Sequence, residues 1–79
     1  MPTLLLVKGF RFFFYSNEND EPAHVHVTKD NANGKIWLIP VMTIAYLHDF
    51  NNNEQHEILQ LVTDNCEYFK SKWNEYFSK

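Results

Sequence analysis

The feature that most constrains the fold of this chain is a change in hydrophobic period at Phe50-Asn51. Before this point, short apolar runs alternate with polar residues in steps of two, which is typical of β-strands with one buried face. After it, apolar residues recur every three or four positions with no Gly or Pro among them, which indicates a helix. Asn51 and Glu54 fit a capping box, in which each side chain bonds the backbone N–H of the other residue. The sequence therefore predicts strands first and a helix last.

The helical pattern predicts one long helix from about Asn52 to Phe77, with a kink near Asp64-Asn65. Its apolar stripe consists of Ile58 or Leu59, Val62, Cys66, Phe69, Trp73 and Tyr76. A stripe of this kind needs an apolar surface to cover. We expect that surface to be one face of the preceding sheet.

The first two strands are predicted at Thr3–Val7 and Phe10–Ser16, joined by Lys8-Gly9. An X-Gly pair between two such runs is typical of a tight hairpin, because Gly readily adopts positive φ. Alternation in the second strand sends Phe10, Phe12 and Phe14 towards the core. It sends Arg11, Phe13 and Tyr15 to the opposite face.

An acidic loop with Pro22 leads to a third strand at His24–Thr28. In this strand Val25 and Val27 are predicted to point into the core and the two histidines away from it.

A second turn is predicted at Lys29–Gly34, followed by a strand at Lys35–Ile39 that ends or bulges at Pro40. Val41–Tyr46 is a fifth strand candidate with a less regular pattern.

Length and composition favour one domain, residues 1–79, with 44% hydrophobic and 16% aromatic residues. The predicted fold class is α+β: an antiparallel meander of four to five strands with one long C-terminal helix packed on one face. The single Cys66 excludes an internal disulfide, and the apolar run Leu4–Val7 is too short for a signal peptide or a membrane span. We therefore expect a cytoplasmic protein that does not bind membranes. The net charge of −3 argues against strong sequence-independent binding to nucleic acid.

The two histidines of the stretch Glu21-Pro22-Ala23-His24-Val25-His26-Val27 are the first candidates for chemistry. Residues two apart on a strand share a face, so His24 and His26 could act as base and acid on one phosphodiester. Arg11 could bind the phosphate, assisted by Tyr15 or Lys29, as in a metal-independent ribonuclease. A solvent-facing strand whose polar positions are occupied by histidine is the competing explanation.

The same face offers candidate binding residues. Phe13 and Trp37 could stack unpaired bases, and Lys29 and Glu21 adjoin the histidines in sequence. An aromatic face with Arg is equally typical of a protein interface. Because Phe13, Trp37 and Leu5 are predicted to leave an apolar patch, we expect a protein partner or a homodimer.

A metal site at the histidines would need a third ligand, for which Glu21, Asp20 and His48 are the candidates. No recognised ligand spacing is met, so a metal-dependent hydrolase ranks last. No metal and no cofactor is predicted.

Several short motifs resemble a family of small bacterial proteins, domain-of-unknown-function family 4160. They are Phe12-Phe13-Phe14-Tyr15-Ser16, the histidine stretch just quoted, Lys35-Ile36-Trp37-Leu38 and Trp73-Asn74-Glu75-Tyr76-Phe77. The family's commoner form has a second proline where this chain has Ala23. The resemblance implies the toxin half of a type II toxin–antitoxin module, encoded beside a small antitoxin-like protein.

Two functions are therefore expected. The first is a toxin that acts on RNA or on translation. The second is a non-enzymatic protein-binding module, an adaptor or regulator, that uses its aromatic sheet face.

Overall fold

The computed structural model describes residues 3–15 and 20–77 and has an α+β fold. Among these residues, five strands precede two helices. The elements are β1 (Thr3–Val7), β2 (Phe10–Phe13), β3 (His24–Lys29), β4 (Ala32–Trp37), β5 (Thr43–His48), α1 (Asn52–Asp64) and α2 (Cys66–Phe77). The sheet is antiparallel with the order β1-β2-β3-β4-β5, so every strand pairs with its neighbour in sequence. This confirms the predicted meander, with five strands.

Two tight turns set the start of the meander. Lys8 and Gly9 both have positive φ, 53° and 84°. A two-residue hairpin turn requires positive φ at both residues if its twist is to match that of the strands. The second turn is shorter than predicted, because Asp30 (φ 54°) supplies the left-handed residue and β4 begins at Ala32.

Gly34, which the sequence suggested as a turn residue, lies inside β4 between Val27 and Leu47. A Cβ atom there would overlap the Leu47 side chain and lie 3.0 Å from the Tyr46 carbonyl oxygen. The glycine is needed for a close approach of strands rather than for a turn.

The predicted core face is confirmed. Phe10, Phe12, Val25 and Val27 are fully buried. Helix residues cover them, with the rings of Phe12 and Phe69 5.4 Å apart. Burial of this apolar surface is the main favourable contribution to folding.

The prediction of one long helix is wrong in detail, because the helix is interrupted at Asn65. The Asn65 side-chain amide and backbone N–H both donate to the Leu61 carbonyl oxygen, at 2.8 and 3.0 Å. Asn favours helix ends for this reason, since its amide competes for backbone groups. α2 starts at the next residue, and the N–H of Phe69 already bonds the Asn65 carbonyl. Within the described part of the chain, no helix is long and apolar enough to cross a membrane.

The capping box at the start of α1 is confirmed. The N–H of Glu54 donates to Asn51 Oδ1 at 2.8 Å, and the N–H of Asn51 donates to Glu54 Oε1 at 3.0 Å. Lys29 Nζ lies 3.2 Å from Glu54 Oε2. The bond from the Asn51 backbone, followed by that from Lys29, holds the pKa of Glu54 below its ordinary value. This ion pair ties the end of β3 to the first turn of α1.

Candidate functional site

Both helices pack on one face of the sheet. Cross-strand pairing brings three of the predicted site residues, Arg11, Phe13 and His26, together on the other face. Directly paired residues of antiparallel strands share a face. One row across the sheet consists of Thr3, Phe13, His26, Lys35 and Tyr46. The next row consists of Leu6, Arg11, Thr28, Asn33 and His48. We call the surface formed by these two rows and Tyr15 the helix-free face.

His24 is buried, although alternation along β3 predicted that both histidines point away from the core. Its side chain is 0% exposed. The ring lies 4.8 Å from that of Trp73 in α2, 5.2 Å from Trp37 and 5.1 Å from His26, measured between centroids. Because His24 is the first residue of β3, its ring lies at the end of the sheet, where the second half of α2 reaches it.

The hydrogen bond of His24 fixes its orientation. Its Nδ1 lies 2.8 Å from the Pro22 carbonyl oxygen, which can only accept, so Nδ1 carries a proton and donates. The Glu21 carboxylate is further from the same nitrogen, at 3.8 Å. His24 therefore holds the preceding loop against the start of β3.

His26 lies nearer the surface and is 8% exposed. Its ring stacks on Phe13 at 5.6 Å and meets the edge of Tyr15 at 4.8 Å. The alternation of β3 places it on the side opposite Val25 and Val27, as predicted, but aromatic neighbours cover most of it. Between the two histidines, His26 is the one that a binding partner can reach.

A pocket of about 110 Å³ opens beside His26 on the helix-free face. The side chains that line it include Phe13, Tyr15, His26, Thr28, Asn33 and Tyr46. The rings of Phe13, Tyr15 and Tyr46 form part of the wall, while a hydroxyl, an amide and an imidazole supply polar atoms. The pocket can thus hold an apolar group and offer it hydrogen bonds.

Arg11 lies beside this pocket, and Lys29 does not. Arg11 Nε donates to Thr3 Oγ1 at 2.8 Å, and its guanidinium lies 4.6 Å from the centre of the Phe13 ring. Lys29 shares the opposite face with the valines, because it is an odd number of residues from His24 and His26. It pairs with Glu54 and lies over the Phe10 ring, so the predicted assistance from Lys29 has no geometric basis.

Glu21 and Trp37 meet at the edge of the site through Lys35. Lys35 Nζ lies 2.9 Å from Glu21 Oε1 and 4.2 Å from the centre of the Trp37 ring. Glu21 therefore neutralises a cation of the helix-free face, and Trp37 is partly covered by that cation and by His24.

The apolar patch predicted from Phe13, Trp37 and Leu5 is wrong for two of its members. Phe13 is only 3% exposed, because Arg11, Tyr15 and His26 surround its ring, so it cannot stack a base. Leu5 packs against the core, since a bulge in β1 shifts its register to Phe12. The large apolar side chains exposed on the helix-free face are instead Leu6, Tyr15 and Tyr46.

No group of three or more His, Cys, Asp or Glu side chains suited to a metal comes together within residues 3–15 and 20–77. His48, a suggested third ligand, pairs with Asn33 in the other row of the face and stacks on Tyr46. A larger groove of about 380 Å³ lies between β1 and α2, where Leu4, Phe14, Tyr68 and Tyr76 line it. None of the predicted site residues lines this groove.

Sequence reasoning missed Tyr46, Thr28 and Asn33 as part of the site. Tyr46 lies in the strand with the least regular pattern, where a bulge between Ile44 and Tyr46 breaks the alternation. Thr28 and Asn33 are paired neighbours in the hairpin that follows the histidines. If the turn had been placed at Asp30-Asn31, the hairpin register would have paired Lys29 with Ala32 and then Thr28 with Asn33.

Comparison with known proteins agrees with the motifs. No curated protein and no solved structure matches the chain. A family model described as Domain of unknown function (DUF4160) matches residues 9–74, which include the histidine stretch, the pocket and most of both helices. The chain belongs to the DUF4160 family.

Proposed function

We propose that this protein is a non-enzymatic protein-binding module that takes its partner on the helix-free face, with one partner side chain in the pocket beside His26. The pocket volume of about 110 Å³ is the observation that carries the proposal. Ligand sites typically measure about 300–1,000 Å³, so the pocket is small for a metabolite or a nucleotide. It suits one side chain, and protein interfaces are commonly anchored by a few side chains that fill such pockets.

The rim of the pocket has the composition expected of an interface. Tyr15 and Tyr46 remain 41% and 37% exposed, and Arg11 is held beside them on the Phe13 ring. Tyr and Arg are enriched where proteins bind each other, because each combines a large contact area with hydrogen-bonding atoms. An apolar or aromatic partner side chain with a polar tip would match these walls.

The burial of His24 weighs against the enzymatic alternative. A general acid or base must reach the proton it transfers, directly or through one water. The His24 ring is enclosed by Trp37, Trp73 and His26, and its Nδ1–H donates a hydrogen bond to the Pro22 carbonyl oxygen. These contacts support a structural role for His24, while the place of His26 in the pocket wall supports a binding role for His26.

We further propose that the partner is a small antitoxin-like protein encoded nearby. The support for this is the family resemblance, which implies a toxin–antitoxin module. In such a module, a protein that covers the helix-free face would keep the toxin from its target in the cytoplasm. Binding of the target and of the antitoxin would then be mutually exclusive.

The direct test is calorimetric titration of the purified chain with the purified product of the neighbouring gene. Tyr15→Ala should weaken binding at least about tenfold, which corresponds to about 1.4 kcal/mol. Tyr76→Ala is the matched control, because Tyr76 is similarly exposed, at 43%, but lies on α2. It should leave the affinity nearly unchanged. Equal losses in the two variants, or no binding by the wild-type chain, would contradict the proposal.

The second candidate, a toxin that cleaves RNA, is favoured by one observation. The rings of His24 and His26 are 5.1 Å apart, with Arg11 on the same side of the sheet. Incubation of the purified protein with a mixed-sequence RNA tests it. Cleavage that disappears in His26→Ala, while circular dichroism shows the variant folded, would favour this candidate over the binding module. Intact RNA at high protein concentration would exclude it.

A further inference from the structure

Arg11, the one arginine of the chain, differs from the lysines in its charge environment. Within residues 3–15 and 20–77, every lysine forms an ion pair with a carboxylate, at nitrogen–oxygen distances between 2.9 and 3.6 Å. The pairs are Lys8–Glu57, Lys29–Glu54, Lys35–Glu21, Lys70–Glu67 and Lys72–Glu75. None of the ion pairs among these residues involves Arg11. Its charge therefore has no acidic partner in the described part of the chain, although the net charge of the chain is −3.

Two contacts hold the Arg11 guanidinium in place. Its Nε–H donates to Thr3 Oγ1 at 2.8 Å, and its carbon Cζ lies 4.6 Å from the centre of the Phe13 ring. A guanidinium carries five N–H donors in a rigid fork that matches a carboxylate. The bond to Thr3 uses one of them and leaves the two terminal nitrogens for a further acceptor. Because the side chain is already ordered, it loses little conformational freedom when it binds one.

The surroundings of Arg11 on the helix-free face supply no carboxylate. The two rows of this face contain neither Asp nor Glu. Lys35, the other cation of these rows, is neutralised by Glu21. Acidic residues are instead frequent on the helices, where they are Glu54, Glu57, Asp64, Glu67 and Glu75. An acidic group from another molecule is thus complementary to the helix-free face and is repelled by the helices.

The arginine adjoins the pocket beside His26. It pairs across the sheet with Thr28, and its guanidinium contacts Phe13; both of these residues line the pocket. Directly paired side chains have Cβ atoms about 4.5–5.5 Å apart. A molecule with one group in the pocket can therefore place a second group at Arg11.

We propose that Arg11 binds a carboxylate of the docked partner, so that the partner segment combines an apolar side chain in the pocket with an Asp or Glu beside it. This inference rests on the proposed function and specifies the chemistry of the partner. The terminal nitrogens of Arg11 bind the carboxylate through two charge-assisted hydrogen bonds, which are stronger than bonds between neutral groups. One carboxylate suits this site better than an RNA backbone does. RNA presents a row of phosphates and is bound by a groove with several cations, whereas this face has one Lys or Arg charge without an acidic partner among its described residues.

Two small probes test the preference for a carboxylate without the partner. They are 3-phenylpropionate and its neutral amide, 3-phenylpropionamide. In an NMR titration of the isotope-labelled chain, the carboxylate should shift the Arg11 Nε–H resonance and the backbone amide of Thr28. It should bind at least about tenfold more tightly than the neutral amide. Equal affinities, or no shift at Arg11 with either probe, would overturn the proposal.

Variants assign the preference to Arg11. Arg11→Gln should remove the difference between the two probes, and Arg11→Lys should retain part of it, because Lys keeps the charge but not the fork. Lys72→Gln is the matched control, since it removes the same charge from α2 and should preserve the full difference. Equal effects of Arg11→Gln and Lys72→Gln would overturn the proposal. The comparison of the two probes on the wild-type chain decides the question even if a variant fails to fold.

Calorimetric titration with the product of the neighbouring gene separates this inference from the proposed function. Each Asp and Glu of that protein is changed in turn to Asn or Gln. One such change should weaken binding to the wild-type chain at least about tenfold and have little effect on binding to Arg11→Gln, because the ion pair is already broken there. Binding without any such coupling overturns this inference and leaves the proposed function standing. Absence of all binding refutes the proposed function, while the two probes still decide the chemistry at Arg11.

A competition experiment distinguishes a carboxylate from a phosphate as the natural ligand of Arg11. A mixed-sequence RNA should not displace 3-phenylpropionate from the wild-type chain. Displacement by RNA at a lower concentration than that of the probe would assign Arg11 to a phosphate and overturn the proposal.

Discussion

Replacement of His24 by Ala is predicted to destabilise the fold strongly, although the residue is polar and was expected to point away from the core. The side chain is fully buried and contacts three rings. Removal of a buried ring of comparable size typically costs about 3–5 kcal/mol. The total stability of a domain this small is on the order of 4–12 kcal/mol. The variant should therefore lose a large part of its stability, with a Tm lower by at least about 12 °C.

His24→Phe separates the packing of the ring from its hydrogen bond. It keeps a ring between Trp37 and Trp73 but leaves the Pro22 carbonyl without its donor. Because Pro22 is exposed and water can replace the donor, the loss should be about 1 kcal/mol. Urea denaturation followed by circular dichroism measures both variants, with the exposed His56→Ala as control. If His24→Ala unfolds within about 0.5 kcal/mol of the wild type, as surface substitutions do, the structural role of His24 is refuted.

Three further substitutions test other parts of the fold. Gly34→Ala should lower the free energy of unfolding by about 1–3 kcal/mol in urea denaturation, since the added Cβ meets Leu47 and the Tyr46 backbone; an unchanged midpoint would contradict this. Asn51→Ala should cost about 1 kcal/mol in thermal melting through loss of the α1 cap, and no change in Tm would refute it. Glu54→Gln should be less stable than the wild type at neutral pH. The pKa of Glu54 is lower in the folded chain than its ordinary value of 4.5. The ionised carboxylate therefore stabilises the fold fully above pH 4.5, and this stabilisation is lost as the pH falls through the pKa of the folded chain. Melting curves of the two proteins should therefore converge in acid, and a constant gap would count against this linkage.

The order and faces of the strands were predictable because they follow from local patterns. Alternation assigned Phe10, Phe12, Val25 and Val27 to the core, and sequential hairpins gave the meander. Asn51 and Glu54 marked the start of the helix through a bond between residues three apart. In each case the pattern or interaction that determines the structure involves residues close to one another in the sequence.

The burial of the site could not be predicted in this way, because it depends on contacts between distant residues. His24 is covered by Trp73, a residue of the last helix that also belongs to its apolar stripe. Phe13 is enclosed by side chains from its own and the adjacent strand, which depends on register. Alternation predicts which face a residue lies on, but not whether aromatic neighbours cover it.

An NMR titration of the isotope-labelled chain with the product of the neighbouring gene tests most directly whether the helix-free face is the binding surface. Binding should shift the backbone resonances of His26, Thr28, Asn33 and Tyr46, which surround the pocket. Resonances of the exposed side of α2, including Tyr76, should stay in place. Shifts confined to the helices would contradict the assignment of the binding surface to this face of the sheet, as would a spectrum that does not change.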